Sequence, residues 1–175
     1  LLTIESCESA NNYIESKHTD GGAGAMVGNM GFSGDKGGAM PLLINNCLVY
    51  GNSLYSTAGL PCTAIGGNFN TPSNSFKNSI FLDNLPFSTK SYHTYKAIVW
   101  DNCYTDQVVA GVTDQKYDGI LNTVAKESLT GSASKEAMGS LDESVWFFSE
   151  NSIPKLRVFH NIKGESIGVD GHQNE

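Results

Sequence analysis

Four aspartates, Asp101, Asp106, Asp114 and Asp118, fall within 18 positions of one another, with Lys116 between the last two. Carboxylates gathered beside a basic residue on one sheet face are the equipment of polysaccharide lyases and hydrolases, often with Ca2+. Asp114-Gln115-Lys116-Tyr117-Asp118-Gly119 lacks the alternate-position acids of an EF-hand loop, and a solvated turn is the better reading than a calcium site. His18, His93, His160 and His172 are scattered, without a helical pair or a nearby Ser or Cys partner, and read as surface residues. Cys7, Cys47, Cys62 and Cys103 form no C-x-x-C pair, which argues against zinc. They read as buried packing thiols, with a disulfide as the alternative. Gly31-Phe32-Ser33-Gly34 falls short of the G-x-S-x-G elbow of a serine hydrolase. The Gly-rich stretch from Asn29 to Met40 is followed by Pro41 and a strand, where a phosphate loop needs a helix. The sequence therefore nominates no catalytic, cofactor-binding or metal-binding residue. The aromatic side chains Tyr50, Tyr55, Tyr92, Tyr95, Tyr104 and Tyr117 remain as candidates for a sugar-stacking face.

Whatever those residues do depends on a repeat. Ile4-Glu5-Ser6-Cys7 precedes Ile44-Asn45-Asn46-Cys47 by 40 positions. Ala25 to Asn29 is answered by Ala64 to Asn68 at an offset of 39. Phe76 to Asn84 echoes Ile44 to Asn52, with Ser79 in the place of Cys47, and Ala97-Ile98-Val99 gives a third Ala-apolar segment. A recurring period of this size marks stacked structural units, each too small to bury its own apolar face. Stacking would bring Cys7, Cys47 and Cys103 into one inward column and let Asn45, Asn46, Asn78 and Asn102 form ladders.

Composition agrees with strands and turns. The chain has 175 residues with 19 Gly and 16 Asn, and only 17% are charged. A net charge of −7 argues against nucleic acid as a partner, and no apolar run is long enough to predict a membrane-spanning helix. Strands are expected at Leu1–Glu8, Gly24–Val27, Leu42–Tyr50, Thr63–Ile65, Phe76–Asn84, Lys96–Val99 and Val145–Phe148, with a turn at Asn11–Ser16 leading into a second short strand, further short segments at Tyr104–Gly111, Gln115–Leu121 and Pro154–Phe159, and a short helix at Ser134–Met138 closed by Gly139. One repeat domain is expected over 1–160, its cap over about 122–160, with a tail at 161–175.

Two segments carry a family likeness: Gly22-Ala23-Gly24-Ala25-Met26-Val27-Gly28-Asn29 and Ile44-Asn45-Asn46-Cys47-Leu48-Val49-Tyr50-Gly51-Asn52. The pairing resembles the GLUG-type repeats of bacterial surface proteins. The ending, Leu141-Asp142-Glu143-Ser144-Val145-Trp146 followed by Ile153-Pro154-Lys155-Leu156, resembles the segment that closes such domains. The resemblance implies an all-β fold, a right-handed parallel β-helix (solenoid) with irregular corners and a C-terminal cap built on Trp146. It also implies a non-catalytic adhesion or spacer role on the outside of a bacterium. Opening on Leu1 fits a removed signal segment or a piece of a longer protein. Partners would be surface glycans or proteins, or a second copy joined end to end. The alternative is a carbohydrate-binding or polysaccharide-cleaving β-helix, which requires the four aspartates to converge.

Overall fold

The computed structural model describes residues 2–16, 42–56, 74–85, 98–107 and 117–160. They fall in two compact units, Leu1–Thr123 and Val124–Glu175. The expected strands at Gly24–Val27 and Thr63–Ile65, the Gly-rich stretch and the tail at 161–175 lie outside the described residues.

The first unit repeats one short pattern: strand, corner, strand, corner, strand. Its first rung is β1 (Leu2–Glu5), β2 (Glu8–Ala10) and β3 (Tyr13–Ser16), and its second is β4 (Leu42–Asn45), β5 (Leu48–Tyr50) and β6 (Ser53–Ser56). Then come β7 (Asn74–Lys77) with β8 (Ile80–Leu82), β9 (Ile98–Thr105) and β10 (Tyr117–Thr123). Every strand pairing among the described residues of this unit is parallel. The eight-stranded sheet runs β1-β4-β7-β9-β8-β5-β2, with β10 also on β9, and β3 pairs β6 separately. Ile4, Ile44, Phe76 and Trp100 share one register column. The 40-residue offset seen in the sequence is thus a true register, and the next rungs follow after 32 and 24 residues (74 − 42 and 98 − 74).

Corners explain why the apparent long strands are broken. Leu42–Tyr50 is two strands because Asn46 stands at φ 51°, in the left-handed region, and Ser6, Asn78 and Asn102 do the same at 51°, 47° and 54°. A second corner is turned at Asn11, Gly51 and Asp83, at 53°, 63° and 50°. Asn and Asp tolerate this conformation better than other side chains, and glycine carries no penalty there. At Gly51 a Cβ would also run into the side-chain oxygen of Asn11. Each corner N–H then finds the next rung: Ser6 to Asn45 O, Asn46 to Lys77 O and Asn78 to Asp101 O, at 3.0–3.1 Å.

The columns between the corners are the core. Ile44, Leu48, Val49, Phe76, Ile80, Phe81, Leu82 and Trp100 are buried, each worth about 1.5–3 kcal/mol relative to exposure. Phe76 stacks on Trp100 at 4.7 Å between centroids, and Phe81 meets both edge-on. Two amide ladders run beside this apolar column. In one, Asn102 Nδ2 donates to Asn78 Oδ1, Asn78 Nδ2 to Asn45 Oδ1 and Asn45 Nδ2 to Glu5 Oε1, at 2.8–3.1 Å. The other runs through Asn12, Asn52 and Asn84, the last two at 1% and 0% exposure. There Asn52 Oδ1 accepts the backbone N–H and Nδ2 of Asn12, and Asn84 Oδ1 accepts the same two donors of Asn52, at 2.9–3.3 Å.

The second unit is a small α/β assembly. Its helix α1 spans Gly131–Ala137 after a 3-10 turn at Lys126–Ser128, and β11 (Trp146–Ser149) pairs antiparallel with β12 (Ser152–Leu156). The helix starts three residues earlier than the sequence suggests. Gly131 opens it at φ 67°, and Gly139 lies where a Cβ would come within 2.8 Å of Lys135 O. Met138, Leu141, Trp146 and Leu156 are buried. The Asp142 carboxylate accepts the Ser144 N–H at 2.8 Å, which holds its pKa below the usual value. Val145 N and Trp146 N both donate to Asp142 O, at 2.9 and 2.8 Å, which turns the chain into β11.

Replacing Asn52 with Ala should leave Asn12 N–H without its acceptor and remove the side-chain donor that Asn52 gives to Ser9 O and to Asn84 Oδ1, the latter keeping only the backbone N–H of residue 52. The expected loss is about 3 kcal/mol, read as a lower urea midpoint at unchanged m-value; a loss below about 0.5 kcal/mol would mean the ladder is not formed.

Candidate functional site

The aspartates do not act together where they are described. Asp101 is exposed and pairs with Lys77 across neighbouring rungs, Nζ to Oδ2 3.2 Å. Such an exposed pair contributes little to stability. Asp106 has a structural task. Both its carboxylate oxygens accept the Asp83 N–H, at 3.0 and 3.2 Å, where Asn11 N–H and Gly51 N–H instead reach the backbone oxygens of Tyr50 and Leu82. Asp106 therefore closes the second corner of the third rung with a side chain. Asp114 lies outside the described residues, and for Asp118 only the backbone is placed, opposite Val99. Among the described residues no cluster of three or more His, Cys, Asp or Glu could hold a metal.

The thiols form the column that the repeat implies. Cys7, Cys47 and Cys103 are free, the last two buried, and Ser79 fills the place between Cys47 and Cys103. The Ser79 hydroxyl accepts Cys47 N–H at 3.1 Å and donates to Lys77 O at 2.6 Å. Each described thiol donates to the backbone oxygen two residues before it: Glu5, Asn45 and Asp101, at 3.3, 3.2 and 3.5 Å. Burial pushes Cys47 up to about 11 and Cys103 up to about 12. Both are protonated at neutral pH, which suits a packing thiol and not an activated nucleophile. Cys62 lies outside the described residues. His160 is buried at 8% exposure, against the sequence expectation of a surface residue, because it follows β12 and its turn in the second unit and does not begin the tail. His18, His93 and His172 are outside the described residues.

The tyrosines divide. Tyr104 is buried and donates its hydroxyl to Asn102 Oδ1 at 2.9 Å, and Tyr50 is half-buried in the column of Ala10 and Leu82. Tyr117 is placed by its backbone in β10, and Tyr92 and Tyr95 lie outside the described residues. Tyr55 is 52% exposed, on the β3–β6 sheet. Tyr13, absent from the sequence candidates, is 68% exposed on the same sheet. Register places Tyr13 opposite Ser53 and Glu15 opposite Tyr55, so the tyrosines are diagonal neighbours, roughly 8 Å apart along and across the strands. Leu85, 57% exposed, bridges Ser53 and continues the Tyr13 column. Two phenol rings, an exposed carboxylate and an apolar side chain thus share one outward face. Tyr13 could have been found by its offset: 13 and 53 are register partners, so 13 and 15 fall in the rung positions of 53 and 55.

No protein-family model, curated protein or solved structure matches this chain. No helix among the described residues is long and apolar enough to cross a membrane.

The raised thiol values carry a pH dependence. Unfolded cysteines ionise near 9.0, so the folded state binds more protons once pH passes that value. The thiols' contribution to stability should be constant below about pH 8 and fall from about 9 towards 11–12, by about 1.4 kcal/mol per pH unit for each buried thiol. Cys47→Ser and Cys103→Ser should each flatten that limb in urea titrations run at several pH values. An unchanged slope would contradict the thiol burial.

Proposed function

We propose that this chain is a right-handed β-solenoid domain of an exported bacterial surface protein, acting by adhesion through its outer face and not by catalysis. The observation that carries the reading is the exposed Tyr13–Glu15–Tyr55–Leu85 face of β3 and β6. Large aromatic side chains are seldom left this open in pairs without a partner to cover them. Tyrosine offers rigid contact area at low entropy cost together with a hydroxyl for hydrogen bonding. Supporting the fold half of the proposal are the parallel in-register rungs and the likeness of residues 22–29 and 44–52 to GLUG-type repeats. The other polar groups of interest, Asp101, Asp106, Asn52, Asn84 and the thiols, are engaged in holding rungs together.

Within that reading a glycan is the favoured contact. A flat pair of phenol faces suits the apolar face of a sugar ring, and Glu15 beside them suits its hydroxyls. With a net charge of −7, a neutral glycan is a better match than a sulfated or sialylated one.

The Tyr13→Ala/Tyr55→Ala double variant should fold with an unchanged melting temperature, since both side chains are exposed. On a glycan array and on bacterial or host cell surfaces, its binding should fall at least tenfold below that of the unaltered chain. Full retention of binding by the double variant, or no binding by either protein, would contradict the adhesive face and leave the spacer role.

A further inference from the structure

The Tyr13 column changes size from rung to rung. Tyr13, Ser53 and Leu85 stand in register on three successive rungs, so one small side chain lies between two large ones. Tyr55, two residues beyond Ser53 in β6, borders the same spot from the side, and Glu15 stands opposite Tyr55. Alternation along each strand puts Tyr13 with Glu15, and Ser53 with Tyr55, on one face. All four and Leu85 are exposed. We propose that the hollow over Ser53 is a subsite for an amino sugar with a free, protonated amine. The ring is held between Tyr13, Tyr55 and Leu85, and the ammonium is directed to Glu15. This subsite rests on the adhesive reading of the face and narrows its ligand from a glycan in general to a cationic one.

Register sets the size of the hollow. Tyr13 to Leu85 spans two rungs, about 10 Å, and Ser53 to Glu15 is a diagonal of roughly 8 Å. The first span admits one pyranose ring between the flanking side chains. The second admits the amine of that ring and one hydrogen bond to the carboxylate. A large residue at position 53 would fill the space, whereas Ser53 leaves it open and offers a hydroxyl that can donate or accept. The phenol rings and Leu85 give the C–H face of the sugar its apolar contact.

Charge selects the amine. Tyr13 and Tyr55 are the other two corners of the parallelogram formed with Ser53 and Glu15. A cation midway along the Ser53–Glu15 diagonal therefore lies between the two phenols, roughly 4 Å from the base of each. An ammonium this near an aromatic face is attracted by it, and a carboxylate can take several donors at once. A neutral acetamide at the same place gains neither charge interaction. The surroundings carry the same sign. Among the described residues of the first unit, Glu5, Asp83 and Asp101 are further exposed acids, and the one basic side chain, Lys77, is paired with Asp101. A net charge of −7 over the chain adds to the attraction. A lysine of a protein partner would bring the charge but no ring for the hollow, so the occupant is a sugar.

Calorimetric titration of the full 175-residue chain separates charge, ring and hollow. The probes are a glucosamine tetramer, its fully N-acetylated counterpart and tetralysine. The glucosamine tetramer should bind at least tenfold more tightly than either of the others. Glu15→Gln should bring the two sugar tetramers within about threefold of each other. Ser53→Leu adds apolar surface but fills the hollow, and should weaken the glucosamine tetramer at least tenfold. Both positions are exposed, so neither variant should shift the melting temperature. Equal or tighter binding of the N-acetylated tetramer, dependent on Tyr13 and Tyr55, would overturn the amine selection and leave the adhesive face standing. Tetralysine binding as tightly as the glucosamine tetramer, or Ser53→Leu binding it unchanged, would reduce the face to a charged or sticky patch and overturn the subsite. No binding of the glucosamine tetramer would overturn it too, while the glycan array with the double tyrosine variant decides the adhesive reading separately.

Discussion

The left-handed corner is the constraint on which the first unit depends. Seven residues in equivalent places, Ser6, Asn46, Asn78 and Asn102 at one corner and Asn11, Gly51 and Asp83 at the other, hold φ between 47° and 63°. Six of them carry a side chain, so the stack accepts a backbone cost of roughly 1 kcal/mol at each. That cost secures a rung whose two bends fall at fixed distances, which lets every strand meet its successor in register. Corner N–H groups that would be orphans in an isolated turn are satisfied by the neighbouring rung. No rung is complete alone.

Register in turn makes buried amides tolerable. Asn52 and Asn84 are fully enclosed, a placement that would cost several kcal/mol without partners. Each has its oxygen and nitrogen bonded to the rungs beside it. Such a ladder does little for net stability over an apolar column, but it penalises any slip, because displacement by one residue would strand several polar groups together. The thiol column works differently. Cys7, Cys47, Ser79 and Cys103 are interchangeable there because each needs only to be small and to donate one hydrogen bond to a nearby carbonyl.

How much of this is legible in the sequence follows from the same physics. The 40-residue register of Ile4–Cys7 with Ile44–Cys47, and the substitution of Ser79 for Cys47, are visible because register columns select residue type. The break of Leu42–Tyr50 at Asn46 is not visible, since the corner preserves the run of buried side chains on either side. The second ladder hides for a related reason: Asn12, Asn52 and Asn84 follow residues that read as turns, and asparagine beside glycine or aspartate suggests exposure, not burial. The spacing from the third to the fourth rung, 24 residues, cannot be inferred from the first interval of 40 because the connecting segments differ in length. At the candidate face, Tyr55 could be proposed by residue type alone, but Tyr13 needed the rung position to show that it points outward. Nothing in the sequence separates Asp106, which closes a corner, from a solvated aspartate.

The central claim is the parallel, in-register stacking of rungs that begin at Leu2, Leu42, Asn74 and Ile98. Isotope-edited NMR tests it directly. The account predicts side-chain cross-peaks linking Ile4 to Ile44, Ile44 to Phe76 and Phe76 to Trp100, with none between Ile4 and Trp100. Strong Hα–Hα cross-peaks between β4 and β7, the mark of antiparallel pairing, or contacts displaced by one residue along the column, would contradict it.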